Sequence, residues 1–410
     1  MAPTLRLSTA PPDVSQHKTD VVRKTGERRI PDRATGRFHR PELDRLRFAA
    51  FFLVFLHHAM PASTAGYIDA GLPRIAAQGL AAFARAGGFG VDLFFALSAY
   101  LITELLLREQ ARTGTIAVRK FYIRRILRIW PLYFLALLVL APAMSWIVPG
   151  EAMPAGHLAG YLLLSGNWAS AFWGFPASSF ALLWSVSIEE QFYLLWPWLT
   201  RRFSARLPVL AAMMLVLAWS TRVLTAAGGI EHPGVWCNTL ARLDPIAGGA
   251  LMAFYLQGRG SRISPSGRGL LVVGGVLLMI GLGAVGNLAG WQSLYTYPLA
   301  TTACLGILCG SLSADQEPAP RRASSAWHVM QRGANSVLGH LGKISFGLYV
   351  FHVAVIRVTE AFWGGQFNRL TLDAAALLLT ILAATVSYRF LETPFLRLKE
   401  RFAVVSSRPV

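Results

Sequence analysis

The chain has 410 residues, of which 54% are hydrophobic and only 15% charged, and its mean hydropathy is +0.45. A soluble domain carries about 25% charged residues because its surface must face water, so this composition excludes an ordinary soluble fold. The chain is also basic, with 39 Lys and Arg against 21 Asp and Glu and a net charge of +18. That balance suits nucleic-acid binding only if the cations gather on one face.

Residues 1–42 are polar and basic and contain no apolar core of the kind a signal peptide needs, which predicts a disordered cytosolic tail. Apolar runs of helix-spanning length then recur at roughly 46–64, 88–107, 130–148, 182–200, 207–226, 241–257, 269–287, 294–313, 343–361 and 371–391. Runs near 20 residues match a hydrocarbon core of about 30 Å. The segment 157–174 is apolar but broken by Ser165-Gly166-Asn167, and reads either as a re-entrant or interfacial helix or as a further span.

Charge decides between these counts. With ten spans and both termini in the cytosol, 33 of the 39 basic residues fall on one side, leaving Arg74, Arg85, Arg222, Arg242, Arg357 and Arg369 elsewhere. A crossing at 157–174 would invert every later loop and break the positive-inside rule. The expected fold is therefore an all-α polytopic membrane protein of about ten transmembrane helices. Its membrane domain covers 43–398 and a short cytosolic tail covers 399–410. Cations spread over six segments between spans do not form a nucleic-acid surface. The three cysteines, Cys237, Cys304 and Cys309, have no paired spacing, so neither a disulfide framework nor a metal site is expected.

Ionisable side chains inside spans cost a few kcal/mol each and are functional candidates by default. The first span carries Arg47 and His58, with His57 beside it. Eleven residues turn a helix through about 1100°, so Arg47 and His58 share a face about 16 Å apart along the axis. An imidazole is the usual side chain for moving a proton near neutral pH. Asp92 and Ser98 follow, among small residues that allow close helix approach. Ser98 could act as a nucleophile only with a base beside it. Five cations between Arg119 and Arg128 precede the third span, and Arg125 and Arg128 share a face suited to phosphates. Glu189 and Glu190 lie in an apolar run and must pair, protonate or face water. Glu189 is expected to orient His58. Arg242 and Asp244 read as an internal ion pair, and Ser345, Tyr349, His352, Arg389 and Glu392 complete the polar set.

In order and spacing these clusters resemble the acyltransferase-3 family of bacterial membrane acyltransferases. Arg47 through His58 resembles its Arg-x10-His motif, and Phe94-Phe95-Ala96-Leu97-Ser98-Ala99-Tyr100-Leu101-Ile102 resembles its Phe-Phe-x-Leu-Ser-Gly-Phe-Leu-Ile string. Arg125 to Pro131 is similar to the family's Arg-x-x-Arg-Ile-x-Pro, and Trp184 to Tyr193 to its Trp-Ser-x-x-x-Glu-x-x-Phe-Tyr. Arg242-x-Asp244, Ser345 to His352 and Glu392-x-Pro394 follow in turn. The chain departs from the pattern at Ala99-Tyr100, at Arg45 and in its doubled His57-His58, and the form without an SGNH-type hydrolase domain is expected.

The resemblance implies a stand-alone O-acyltransferase of the bacterial inner membrane. It would move an acyl group, most often acetyl, from acyl-CoA to a hydroxyl of a sugar, surface glycan or glycosylated small molecule. Together with the first-span geometry it predicts His58 and Glu189 as catalytic, with Arg47, Arg125 and Arg128 on the acyl-CoA phosphates. Ser98, Asp92, Arg242, Asp244 and His352 are expected as acceptor-site or structural polar groups. The competing class is a proton-coupled transporter without chemistry, disfavoured by the absence of an inverted repeat.

Overall fold

The structure is a computed structural model that describes residues 39–257, 263–286, 289–312 and 335–405. Residues 1–38 of the expected 1–42 tail lie outside the described residues, which are helical with no strand among them. Six helical segments are long and apolar enough to cross a membrane: Arg74–Thr113, Val118–Ile147, Ala181–Ala227, Pro265–Val285, Ser345–Trp363 and Arg369–Glu400. They hold seven of the ten expected spans. Large apolar side chains stand exposed along them, among them Leu138, Trp146, Val216, Leu270 and Leu378. Such a surface is stable only against lipid. The chain is a multi-pass helical membrane protein.

The other three expected spans are α1 (Pro41–Ala59), α11 (Leu243–Leu256) and α13 (Ser293–Ser311). Glu42, Asp44, Arg45 and Arg47 crowd the first two turns of α1, and α11 has only 14 residues, about 21 Å of helix. Helix α1 starts inside the stretch expected to be disordered. Pro41 costs nothing at a first turn, where its missing N–H has no partner to lose, and the acidic Glu42 and Asp44 suit a helix start.

Between α1 and the middle of the chain run α2 (Thr64–Asp69), α3 (Arg74–Ala86), α4 (Gly90–Thr113), α5 (Val118–Leu135) and α6 (Ala141–Ile147), with a π turn joining the last two. The Arg-rich stretch expected ahead of the third span is the opening of α5 itself. Next come α7 (Ala155–Leu162) and α8 (Gly166–Trp173), then α9 (Trp184–Phe203) and α10 (Leu207–Ala227). After α11, α12 (Pro265–Val285) and α13 the chain ends in α14 (Ser345–Trp363), α15 (Arg369–Ser387) and α16 (Thr393–Glu400).

Segment 157–174 proves to be a helical hairpin rather than a span. Helices α7 and α8 have eight residues each, about 12 Å and too short to cross. They fold on each other at Leu164, whose φ of 56° is left-handed. That strained corner is tied down: Ser165 Oγ donates to the Gly160 carbonyl and Gln191 Nε2 to the Leu164 carbonyl. Gln191 also holds Asn167, which donates to Cys237 O and Thr239 Oγ1.

Helix α4 is the centre of the bundle and packs on α1, α9, α11 and α13. Glycine sets its distances. A Cβ on Gly90 would lie 2.6 Å from the Ala50 carbonyl of α1, and one on Gly249 of α11 would lie 2.2 Å from the Ala96 carbonyl. Either substitution would push a neighbouring backbone away. Small residues predicted in the Gly90–Ala99 stretch thus serve close packing, and that packing lays Ser98 beside α9 and Val91 beside α1.

Candidate functional site

Two neighbouring cavities lie inside the bundle and share wall residues. The first is a basic cleft of about 1290 Å³ including its mouth, lined by Arg47, Ser98, Arg125, Arg128, Glu189 and Lys399, with His39 and Arg40 also on its wall. The second, of about 1120 Å³, is lined by His57, His58, Trp184, His232, Trp236 and Arg357. Val91 and Tyr349 line both cavities. Tyr349 is fixed there: its hydroxyl donates to the Leu182 carbonyl at 3.0 Å and shares a 2.7 Å hydrogen bond with Ser185 Oγ. The 11-residue spacing of Arg47 and His58 thus puts a guanidinium in one cavity and an imidazole in the other.

The arginines of the cleft differ in their partners. Arg47 donates to Asp44 Oδ1 one turn earlier, at 3.0 Å. Among the described residues, neither Arg125 nor Arg128 has a carboxylate within ion-pair distance. Arg125 lies over the rings of Phe121 and Tyr193, 5.6 and 5.7 Å from their centroids, and its Nε is buried without a hydrogen-bond partner. Arg125 and Arg128 are half-buried on the wall of one cleft, and two cations there without a carboxylate suit an anionic ligand.

Glu189 lies in the same cleft. It accepts from Ser98 Oγ at 3.1 Å and from the Tyr193 hydroxyl at 2.7 Å, while Tyr193 also donates to Ser98 at 3.2 Å. The expected pairing of Glu189 with His58 is therefore not formed, because the carboxylate faces the cleft and the imidazole the other cavity. The neighbouring Glu190 accepts from Trp130 Nε1 and lines neither cavity.

His58 is more than a third exposed, and that exposure is to the second cavity. Its Nδ1 lies 2.9 Å from the Val54 carbonyl and 3.2 Å from His352 Nε2. His57 turns to the Ala84 carbonyl. Sequence reading placed His352 only among the general polar groups; the contact with His58 spans 294 residues and no local spacing announces it. It also missed Glu151. This buried carboxylate accepts from the backbone N–H and hydroxyl of Ser179 and pairs with Arg357 at 3.0 Å, holding together the wall of the second cavity.

Arg242 and Asp244 do not pair with each other. Arg242 pairs with Asp92 across to α4 at 2.9 Å, and Asp244 with Arg222 of α10. Arg242 is fully buried, 4.1 Å over Trp236 and 4.9 Å over Tyr297. Arg242 ends the short 3-10 turn that leads into α11 and Asp244 lies two residues on in its first turn, about 200° around the axis, so each buried charge takes the partner its own face meets. Asp92, Arg242 and Asp244 line neither cavity, whereas Ser98 lines the cleft and His352 stands behind His58.

A polytopic helical protein with an arginine cleft and an imidazole cavity back to back is the class the geometry defines. Residues 40–389 match the family model described as an acyltransferase domain, and the chain belongs to that acyltransferase-3 family. It is 27% identical over 345 aligned residues to relatives from Staphylococcus aureus named as O-acetyltransferases. It is 27% identical to the peptidoglycan O-acetyltransferase OatA of Listeria monocytogenes, with 76% of this chain and 52% of the relative covered. With the O-acetyltransferase OatA of Staphylococcus aureus strain NCTC 8325 the identity is 29%, covering 75% and 52%. The chain spans about half the length of these relatives. No solved structure matches it.

Proposed function

We propose that the protein is a membrane O-acyltransferase that takes an acyl group, acetyl in the simplest case, from acyl-CoA to a hydroxyl of a glycan or glycosylated small molecule. The observation that carries this reading is the pair of cavities that share the wall residues Val91 and Tyr349, one with Arg125 and Arg128, which no carboxylate pairs among the described residues, and the other with His58. The donor's phosphates lie against Arg47, Arg125 and Arg128, and the pantetheine arm runs past Ser98 and Glu189 toward Tyr349. The acceptor enters the second cavity, whose Trp184, Trp236 and His232 offer flat faces. In this reading the chain crosses a bacterial inner membrane ten times with both termini in the cytosol, and the cleft opens on the cytosolic side, where acyl-CoA is made.

In the chemical step His58 removes the proton of the acceptor hydroxyl as its oxygen attacks the thioester carbonyl. The tetrahedral intermediate collapses by breaking the C–S bond. The proton held by His58 then goes to the departing thiolate, leaving an ester and free coenzyme A thiol. General base catalysis of this kind contributes about 10²–10⁴ in rate.

The test is acceptor-dependent release of free thiol from acetyl-CoA by the purified protein, with a cell-envelope glycan extract as acceptor. His58→Gln is expected to reduce the rate by about 10²–10⁴-fold. Wild-type turnover in a folded His58→Gln protein would overturn the base assignment, and thiol release indifferent to every acceptor would overturn the transfer reading.

A further inference from the structure

We infer that His352 is the positioning residue for His58, an uncharged histidine in the place where a carboxylate would be expected. This rests on the reading of His58 as the base. His352 is fully buried on α14, and its Nδ1 lies 2.7 Å from the Tyr349 carbonyl. A carbonyl only accepts, so in neutral His352 the hydrogen is on Nδ1 and Nε2 is bare. That bare nitrogen faces His58 Nδ1 at 3.2 Å, and the same Nδ1 faces the Val54 carbonyl at 2.9 Å.

Both neighbours of His58 Nδ1 are therefore acceptors. One arrangement satisfies the chain: the Nδ1–H of His352 donates to Tyr349, and the Nδ1–H of His58 is shared between Val54 and His352. The nitrogen left bare is Nε2 of His58, on a residue open to the second cavity. A base needs this tautomer.

The ring of His352 is itself clamped. Phe51 meets it edge-on at 5.8 Å, Tyr349 lies 5.7 Å away and His58 5.0 Å. The clamp is anchored in turn, since Tyr349 is fixed through Leu182 and Ser185.

The arrangement has a chemical consequence in the reaction. When His58 takes the acceptor's proton on Nε2, its Nδ1–H becomes a charge-assisted donor and the bond to His352 strengthens. Transfer onward to Nε2 of His352 would put the charge on a fully buried ring and could go no further, because the other nitrogen of His352 is committed to a carbonyl. The proton thus stays on His58 to be returned to the thiolate. A neutral orienter also avoids burying a carboxylate in an apolar helix contact, which would be costly before the reaction begins.

Two measurements test this on the full chain in nanodiscs. Nitrogen-15 NMR of histidine-labelled protein, with His58 assigned by its loss in His58→Gln, should show a protonated Nδ1 and a bare Nε2 in neutral His58. A protonated Nε2 there would overturn the proposal whatever the activity. In the thiol-release assay, His352→Phe fills the site without an acceptor and should lower kcat by about 10- to 100-fold, the range of a lost hydrogen bond to a charged group. KM for acetyl-CoA should stay unchanged, and His352→Gln, whose amide oxygen can accept, should recover most of the loss. Wild-type kcat in His352→Phe, or a folded His352→Gln no better than His352→Phe, would contradict the assignment. Retained turnover in His58→Gln would instead remove the base reading while leaving the NMR result standing.

Discussion

Arg242 and Arg128 carry the same side chain next to apolar runs, yet the structure treats them oppositely. Arg242 is fully buried, paired with Asp92 and stacked on Trp236, and lines neither cavity. Arg128 faces the cleft, and among the described residues no carboxylate pairs with it. A guanidinium compensated within the protein holds helices together. One left uncompensated at a cavity is available for an anion from outside. Charge partner and burial together separate the structural Arg242 from the candidate ligand Arg128.

That contrast can be broken experimentally. The largest effect is expected at Arg242: Arg242→Ala strands Asp92 and should cost about 3–5 kcal/mol of stability, seen as loss of folded protein or a lowered Tm in detergent. The double change Arg242→Met with Asp92→Leu removes both charges and should be tolerated far better. An Arg242→Ala protein as stable as wild type would place the pair outside the structural class.

Next in size, Arg125→Ala and Arg128→Ala should each weaken acetyl-CoA binding by about 10- to 100-fold, as loss of a charge-assisted bond does. Their Tm should not fall, since neither breaks an ion pair. A fall in Tm with unchanged affinity would reverse the assignment. The smallest effect is expected at Ser98→Ala, which removes one hydrogen bond to Glu189, worth about 1 kcal/mol. Thiol release should drop less than about tenfold; abolished turnover would mean that Ser98 itself carries the acyl group.

The cleft was largely legible in the sequence because its signals are local. Arg125 and Arg128 lie three residues apart on one helix, and the positions of Arg47 and His58 follow from helical rotation alone. The pairings were not legible. Glu189 finds Ser98 and Tyr193 rather than His58, and Arg242 finds Asp92 rather than Asp244, because partner choice depends on which helix faces meet after packing. Gly90 and Gly249 set those meetings, and their role shows only when neighbouring backbone is in view. The hairpin at 157–174 was half legible: Ser165-Gly166-Asn167 marked the break, but the anchors at Gln191 and Thr239 lie far along the chain.

The central claim is a division of labour, with donor binding in the arginine cleft and proton transfer in the histidine cavity. Equilibrium binding of radiolabelled acetyl-CoA to three purified, folded proteins tests it most directly: wild type, Arg125→Ala with Arg128→Ala, and His58→Gln. Binding should be lost in the double arginine variant and stay at the wild-type level in His58→Gln, although that protein no longer turns over. Undiminished binding without the two arginines, or lost binding without the histidine, would contradict the account.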